Sequence, residues 1–368
     1  MTKSLKFYSS SQPREILEYL EKLRVKIDKQ IERYLPRKVN KSWIERFFGK
    51  ENYVSPKAIQ RAILDPIWNF LDRGGKRWRP ALFLLILEAF GKDPKKFFDF
   101  AIIPELAHTG SLIVDDIEDQ GEMRRGQPCL HRIFGTDIAL NAGNFLYFLP
   151  IYIFEKNKKK IEKKIYFKAL KTYFEEMEKL HLGQAIDIFW HKGFQNKISE
   201  KEYFQMCAFK TGSMARLAAK LAVIFAKKEE KIAKEIESFS QNLGIAFQIQ
   251  DDILDIELSE KERGKFGKSF GNDIKEGKRS LLVIYTLNKV KVKDKKRLIE
   301  ILNKEKKSKK EISEAISIIK RYRAIEFAKK KAKEILNKSL GKIDKIFPPS
   351  KAKIMLKDLV YFLIERKI

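Results

Sequence analysis

An all-α fold is predicted on three observations. Nearly every long segment places its apolar residues at helical period, as where Ile16, Leu17, Leu20, Leu23 and Ile27 step by three and four. Alternating strand patterns flanked by hairpin turns are almost absent. No tract of Pro, Ser or Gly and no repeat of solenoid period divides the chain.

The first helix stops at Leu35-Pro36-Arg37-Lys38, and residues 39–54 read as a connector. Residues 1–54 are therefore taken as an N-terminal helical extension and residues 55–368 as the main body. A helix starting near Pro56 ends at Gly74-Gly75, because glycine accepts a left-handed cap. The next begins near Pro80, with proline in its first turn. The longest apolar runs, Ala81 to Leu87 and Phe145 to Phe154, fall short of the ~18–20 residues of a membrane span, and Pro150 interrupts the second. Met1 to Phe7 lacks the apolar core of a signal peptide. Lysine-rich stretches at Lys156 to Lys164, Lys289 to Lys296 and Lys304 to Lys310 read as loops or exposed helix ends.

The formal net charge of +28 admits nucleic acid, an anionic membrane surface or anionic small substrates as partners. The 49 acidic residues are interspersed with the 77 basic ones, which favours solvated helix faces for most of that charge. Peripheral membrane contact ranks below simple solvation. Cys129 and Cys207 form neither a metal-ligand spacing nor a disulfide framework, so reduced packing thiols and a cytoplasmic setting are expected.

Two acidic clusters share one design: Asp115-Asp116-Ile117-Glu118-Asp119 and Asp251-Asp252-Ile253-Leu254-Asp255. Residues four apart on a helix lie on one face, so each cluster gathers at least two carboxylates with a third beside them. Such a concentration of charge repels itself unless a cation neutralises it. Oxygen-only ligands suit Mg²⁺, which leaves positions open for substrate phosphates. An acidic run alone is usually a solvated face. Here Leu112-Ile113-Val114 and Ile245-Ala246-Phe247 precede the clusters, which points them toward a cleft. Lys76 and Arg79 follow a double glycine that lets backbone approach phosphate. Arg124 and Arg125 offer forks suited to bidentate phosphate recognition. His108 lies two turns before Asp115 on the same face, while Arg77 reads as a surface residue.

With Gly74 to Pro80, Gly183-Gln184 with Asp187, Lys210-Thr211-Gly212, Phe247-Gln248, and Lys268 with Asp273 and Lys278, these make six ordered blocks between about residues 55 and 290. In order and spacing they resemble the all-trans isoprenyl (polyprenyl) diphosphate synthases. The resemblance implies a single large helical bundle around a central cavity. It also implies Mg²⁺-dependent head-to-tail condensation of isopentenyl diphosphate with dimethylallyl, geranyl or farnesyl diphosphate. Three Mg²⁺ ions would be held by Asp115, Asp116, Asp119, Asp251, Asp252 and Asp255. Isopentenyl diphosphate would meet Lys76, Arg79, His108 and Arg125. The allylic diphosphate would meet Arg124, Lys210, Thr211, Gln184, Asp187, Gln248, Lys268 and Lys278, with Lys265 a rival for Lys268. Thr211 would steady the developing cation.

Behind Asp115 the small residues Ser111, Gly110 and Ala107 argue against a ten- or fifteen-carbon stop. The Leu112 to Asp119 and Gly183 to Trp190 blocks resemble geranylgeranyl diphosphate synthases, which implies a C20 product. A C25 or longer product, or farnesyl diphosphate, is the alternative. A class I terpene cyclase normally lacks the Gly74 to Pro80 block. A non-catalytic subunit of the family would have a degraded cluster, and both are intact here. A nucleic-acid-binding protein would explain the charge but none of the blocks. The resemblance further implies a homodimer or higher homo-oligomer.

Overall fold

The computed structural model describes residues 12–50, 53–257 and 271–364. It is all-α, as the helical periods predict, apart from one tiny hairpin. The helices are α1 (Gln12–Glu32), α2 (Lys41–Phe48), α3 (Pro56–Ile59), α4 (Asp65–Asp72), α5 (Trp78–Ala89), α6 (Phe98–Ala101) and α7 (Ile103–Glu118). Strands β1 (Met123–Arg124) and β2 (Gln127–Pro128) follow. Then come α8 (Leu130–Phe134), α9 (Thr136–Asn157), α10 (Lys163–His191), α11 (Glu200–Lys210), α12 (Gly212–Phe225) and α13 (Glu230–Glu257). The last are α14 (Asn272–Glu276), α15 (Leu281–Lys289), α16 (Val292–Asn303), α17 (Lys309–Arg321), α18 (Ala324–Ile346) and α19 (Lys351–Ile364).

The bundle is organised around α5 and α12, which are apolar nearly all round and buried over almost their whole length. A helix without a polar face belongs at the centre of a fold. Around them pack α7, α10, α13 and α19. α1 turns Ile16, Leu20, Leu23, Ile27 and Ile31 into the same core, so the described part of residues 1–54 packs with the main body. Within the expected connector, Asn40 caps α2 by accepting from the Trp43 N–H at 2.9 Å, and Trp43 and Ile44 are buried. The signal for this helix is an Asn cap at one end and Gly49 at the other.

Two stretches, Pro94–Glu118 and Thr136–Lys160, are long and apolar enough to cross a membrane by length and composition, which the apolar runs alone do not suggest. The first is 61% buried inside the fold and ends in the acidic cluster, as a core helix does. Spaced seven or eight apart, Phe167, Phe174, Leu182 and Phe189 form an exposed stripe on α10, with Leu140 and Phe148 exposed on neighbouring α9.

Candidate functional site

The ends of α7 and α13 bring both acidic clusters to one cavity. Its lining includes Arg79, His108, Asp115, Asp116, Arg124, Gln184, Asp187, Lys210, Thr211, Gln248, Asp251, Asp252 and Lys278. Residues from seven separate stretches of sequence thus converge.

Lysines lie between the carboxylates. Lys210 Nζ donates to Asp187 at 2.6 Å and to Asp115 at 3.1 Å. Lys278 Nζ donates to Asp119 at 2.8 Å and pairs with Glu276 at 2.7 Å. Burial by itself would raise the pKa of Asp115, but Lys210, Lys278 and Arg124 together hold it far below the usual range. Asp119 shifts the other way, because burial and the Asp115 charge outweigh Lys278. Burial opposes the charge on Lys210, and Asp115 and Asp187 reverse that effect, so its pKa is raised. Gln184 Nε2 donates to Asp115 at 3.0 Å and to Glu118 at 2.7 Å. Lys265 and Lys268 lie outside the described residues.

The carboxylates are not equivalent. Asp116 accepts from Arg124 Nε at 2.8 Å. Asp252 receives Tyr203 Oη at 2.7 Å, Gln248 Nε2 at 2.8 Å and the Leu281 N–H at 3.3 Å. Burial raises the Asp252 pKa to about 6. Asp255 accepts from the Asp273 N–H at 3.2 Å. Among the described residues no three His, Cys, Asp or Glu side chains form a ready ligand cage. Asp116 Oδ2 and Asp119 Oδ1 are nevertheless buried acceptors with no hydrogen-bond donor among them, oxygens suited to a hard cation.

A second, cationic group is built on aromatic faces; its Arg79 lines the cavity with His108, while Lys76 and Arg125 are not among the lining residues. The Arg79 guanidinium lies 4.4 Å from the Trp78 ring, Arg125 lies 5.0 Å from Phe70, and Lys76 Nζ lies 4.5 Å from Phe362. Each ring's negative face supports a cation. Burial lowers the pKa of both arginines to about 10; the Arg125 charge contributes for Arg79, and the Arg77 and Arg124 charges for Arg125. Burial, then Arg79 and Arg125, push His108 well down, so its imidazole is neutral. Positive charge is crowded at this end, which suits a polyanion. Arg77 corrects the surface reading. It is buried, with Nε 2.9 Å from Asp28 and Nη1 2.9 Å from Glu105, and ties α5 to α1 and α7.

The Lys210-Thr211-Gly212 corner is gripped from both sides. A Cβ on Gly183 would sit 2.2 Å from the Lys210 nitrogen, and one on Gly244 would sit 2.5 Å from Gly212 Cα. Helices α10 and α13 therefore touch this corner backbone to backbone. Thr211 Oγ1 donates to Gln248 at 2.7 Å.

The residues behind Asp115 divide. Ser111 lines the cavity, with its hydroxyl on the His108 carbonyl at 2.8 Å. Ala107 is fully buried. Gly110 faces α9, where a Cβ would meet the Gly143 oxygen at 2.7 Å and the Tyr147 ring at 3.1 Å. Of the three small residues behind Asp115, Gly110 is thus a helix–helix contact. Tyr147 and His181, with ring centroids 5.4 Å apart, line the cavity, and both interact electrostatically with Glu118. Sequence reasoning misses them, as it misses Tyr203, which stands seven residues before Lys210 and thus two turns along one face.

Comparison with known proteins places this architecture among relatives. Residues 60–319 match the family described as Polyprenyl synthetase. A short chain isoprenyl diphosphate synthase of Methanothermobacter thermautotrophicus is 33% identical over 90% of this chain and 97% of its own. A geranylgeranyl diphosphate synthase of Saccharolobus solfataricus is 31% identical over 87% of this chain and 94% of its own. The crystal structure of geranylgeranyl pyrophosphate synthetase from Pyrococcus horikoshii superposes with a TM-score of 0.82 at 31% identity, covering 96% of this chain and 99% of that one.

Proposed function

The chain belongs to the polyprenyl synthetase family, and from that membership we propose that it joins isopentenyl diphosphate head-to-tail to an allylic diphosphate, with geranylgeranyl diphosphate as the product. The observation that carries this reading is the convergence of two acidic clusters, two bridging lysines and a separate cationic pocket in one cavity. The C20 product is supported by relatives named geranylgeranyl diphosphate synthases.

We assign Asp115, Asp116, Asp119, Asp251, Asp252 and Asp255 to Mg²⁺, with Asp116 and Asp252 also holding Arg124, Tyr203 and Gln248 in place. Bound there, Mg²⁺ supplies neutralisation and Lewis-acid polarisation of a leaving diphosphate. Lys210, Lys278 and Arg124 bind the allylic diphosphate oxygens and hold the developing negative charge. Lys76, Arg79, Arg125 and the neutral His108 hold isopentenyl diphosphate, so that its double bond faces the allylic carbon. Thr211 and Gln248 present dipoles to the cation that forms, and Asp187 fixes Lys210. The apolar part of the lining, Leu112, Val114, Leu180, Met206, Met214 and Phe247, keeps water from that cation. The proton lost from the condensed product leaves on the released diphosphate.

A homodimer that covers the apolar stripe of α10 with α9 belongs to the same reading, and residues 55–368 are its catalytic part. The two free thiols fit a cytoplasmic setting. Incubation with Mg²⁺, labelled isopentenyl diphosphate and each allylic primer, followed by product sizing, tests the proposal. A chain that elongates no primer would overturn it.

A further inference from the structure

The hairpin that carries Arg124 and Arg125 is too short to hold itself and depends on contacts outside it, among them Lys275 with Glu122 at 2.8 Å and Arg124 with Asp116 at 2.8 Å. Its strands are two residues each, and residues 122, 123 and 126–128 are exposed. So short a ribbon is not stable by itself in water. Its turn also holds Arg125 at φ 54 and Gly126 at φ 76, the left-handed region that a side-chain-bearing residue avoids. Something outside the hairpin must keep it in place.

Arg73, the last residue before the double glycine, does so. Its Nη1 donates to the Pro128 carbonyl at 2.8 Å and to the Arg124 carbonyl at 3.3 Å, one on each strand. The opposite edge of the guanidinium is held by Asn69, whose Oδ1 accepts from Nη2 at 2.6 Å and from Nε at 3.2 Å. Asn69 stands one turn back on α4, so the clamp is rooted in a helix. Phe70, between them in sequence, lies 5.7 Å from the Arg73 guanidinium and 5.0 Å from that of Arg125. Arg125 in turn donates to the Gly74 carbonyl, next to Arg73 in the chain.

We propose that Arg73, backed by Asn69, is a positioning residue that fixes the Arg124–Arg125 hairpin and thereby sets both diphosphate-binding ends of the cavity together. The assignment rests on the synthase reading above for its kinetic consequence, and on geometry alone for the clamp. Arg124 faces the acidic clusters through Asp116, and Arg125 faces the pocket of Arg79 and His108. A hairpin released from Arg73 would misplace both guanidinium groups at once.

The test uses the full chain with Arg73→Met, Arg73→Lys, Asn69→Ala and Asn69→Asp. Hydrogen exchange of the peptide spanning residues 119–130 should quicken in Arg73→Met and Asn69→Ala while the rest of the bundle keeps wild-type protection. KM for isopentenyl diphosphate and for the allylic substrate should rise together, each on the order of tenfold. With both substrates saturating, kcat should also fall several-fold, because a misplaced Arg124 no longer holds the charge that develops on the leaving diphosphate. Asn69→Asp keeps the acceptor and should behave as wild type. Arg73→Lys cannot span both carbonyls and Asn69, and should show the defect. Unchanged exchange at the hairpin, or a rise in KM for one substrate only, would overturn the assignment. Should Arg73→Met not fold, Asn69→Ala decides on the same readouts. If the wild-type chain elongates no primer, the synthase reading fails, and the exchange measurement still decides the clamp.

Discussion

Lys278 and Asp119, 159 residues apart in sequence, meet at 2.8 Å and tie the segment after α14 to the first acidic cluster. The pair is largely buried, and Asp119 also feels the Asp115 charge. Lys278→Met should therefore lower metal-free stability by about 3 kcal/mol, the low end for breaking a buried pair. Added Mg²⁺ should raise the melting temperature of the variant more than that of wild type, because it restores the missing positive charge. Equal Mg²⁺ shifts in calorimetry would show that Lys278 and the metal do not share a site.

Asp115→Asn and Asp251→Asn should each reduce kcat by about a hundredfold or more in folded protein, since each removes charge stabilisation from the transition state. Circular dichroism would confirm the fold, and steady-state turnover would measure the loss. Near-wild-type turnover in either variant would sink the metal assignment.

Arg79→Ala should mainly raise KM for isopentenyl diphosphate, and Lys210→Ala mainly that for the allylic substrate. Losing one charged phosphate contact corresponds to roughly tenfold to a hundredfold in affinity. Equal effects of both variants on both substrates would dissolve the division of the cavity into two ends.

Chain length is best probed at Ser111 and Tyr147. Ser111→Phe should shorten the product and Tyr147→Ala should lengthen it, because both side chains border the cavity. Gly110→Phe is unsuitable, since even one carbon there lies 2.7 Å from the Gly143 oxygen. Gly110→Ala alone should cost about 1–3 kcal/mol through overpacking. Chromatography of the products in folded variants would decide, and an unchanged product from both would mean that the tail runs elsewhere.

Arg77→Met should destabilise the fold by about 3–5 kcal/mol by leaving Glu105 buried without its partner. KM for either substrate should change little. A stable variant with altered KM would place Arg77 in the binding machinery.

Much of this site is legible in the chain itself. The i, i+4 spacing of the aspartates is a local property, and so is the glycine pair ahead of Lys76. What periodicity cannot carry is which carboxylate oxygen faces which donor. Asp116 and Asp115 are neighbours of one type, yet Asp116 takes the close Arg124 contact and Asp115 takes Lys210, with Arg124 only at 3.7 Å, because they point about a third of a turn apart. Arg77 and Gly110 mislead for the same reason. Each sits among plausible site residues, and only the helix packed against it (α1 and α7 for one, α9 for the other) reveals its task. Tyr203 and Arg73 belong to no acidic or glycine-rich block, and the groups they hold, Asp252 and the Pro128 carbonyl, are far along the chain.

The backbone contacts at Gly183 and Gly244 bear on how the protein would look to an exhaustive substitution screen. Neither glycine has a functional group, yet replacing either would push the Lys210-Thr211-Gly212 corner off its seat. Such a screen would score both positions as intolerant as the aspartates themselves. An activity-based ranking would thus mark two silent atoms of space as if they were reagents. Only a parallel abundance measurement, in which the glycine variants fall and the aspartate variants do not, would tell the two kinds of necessity apart.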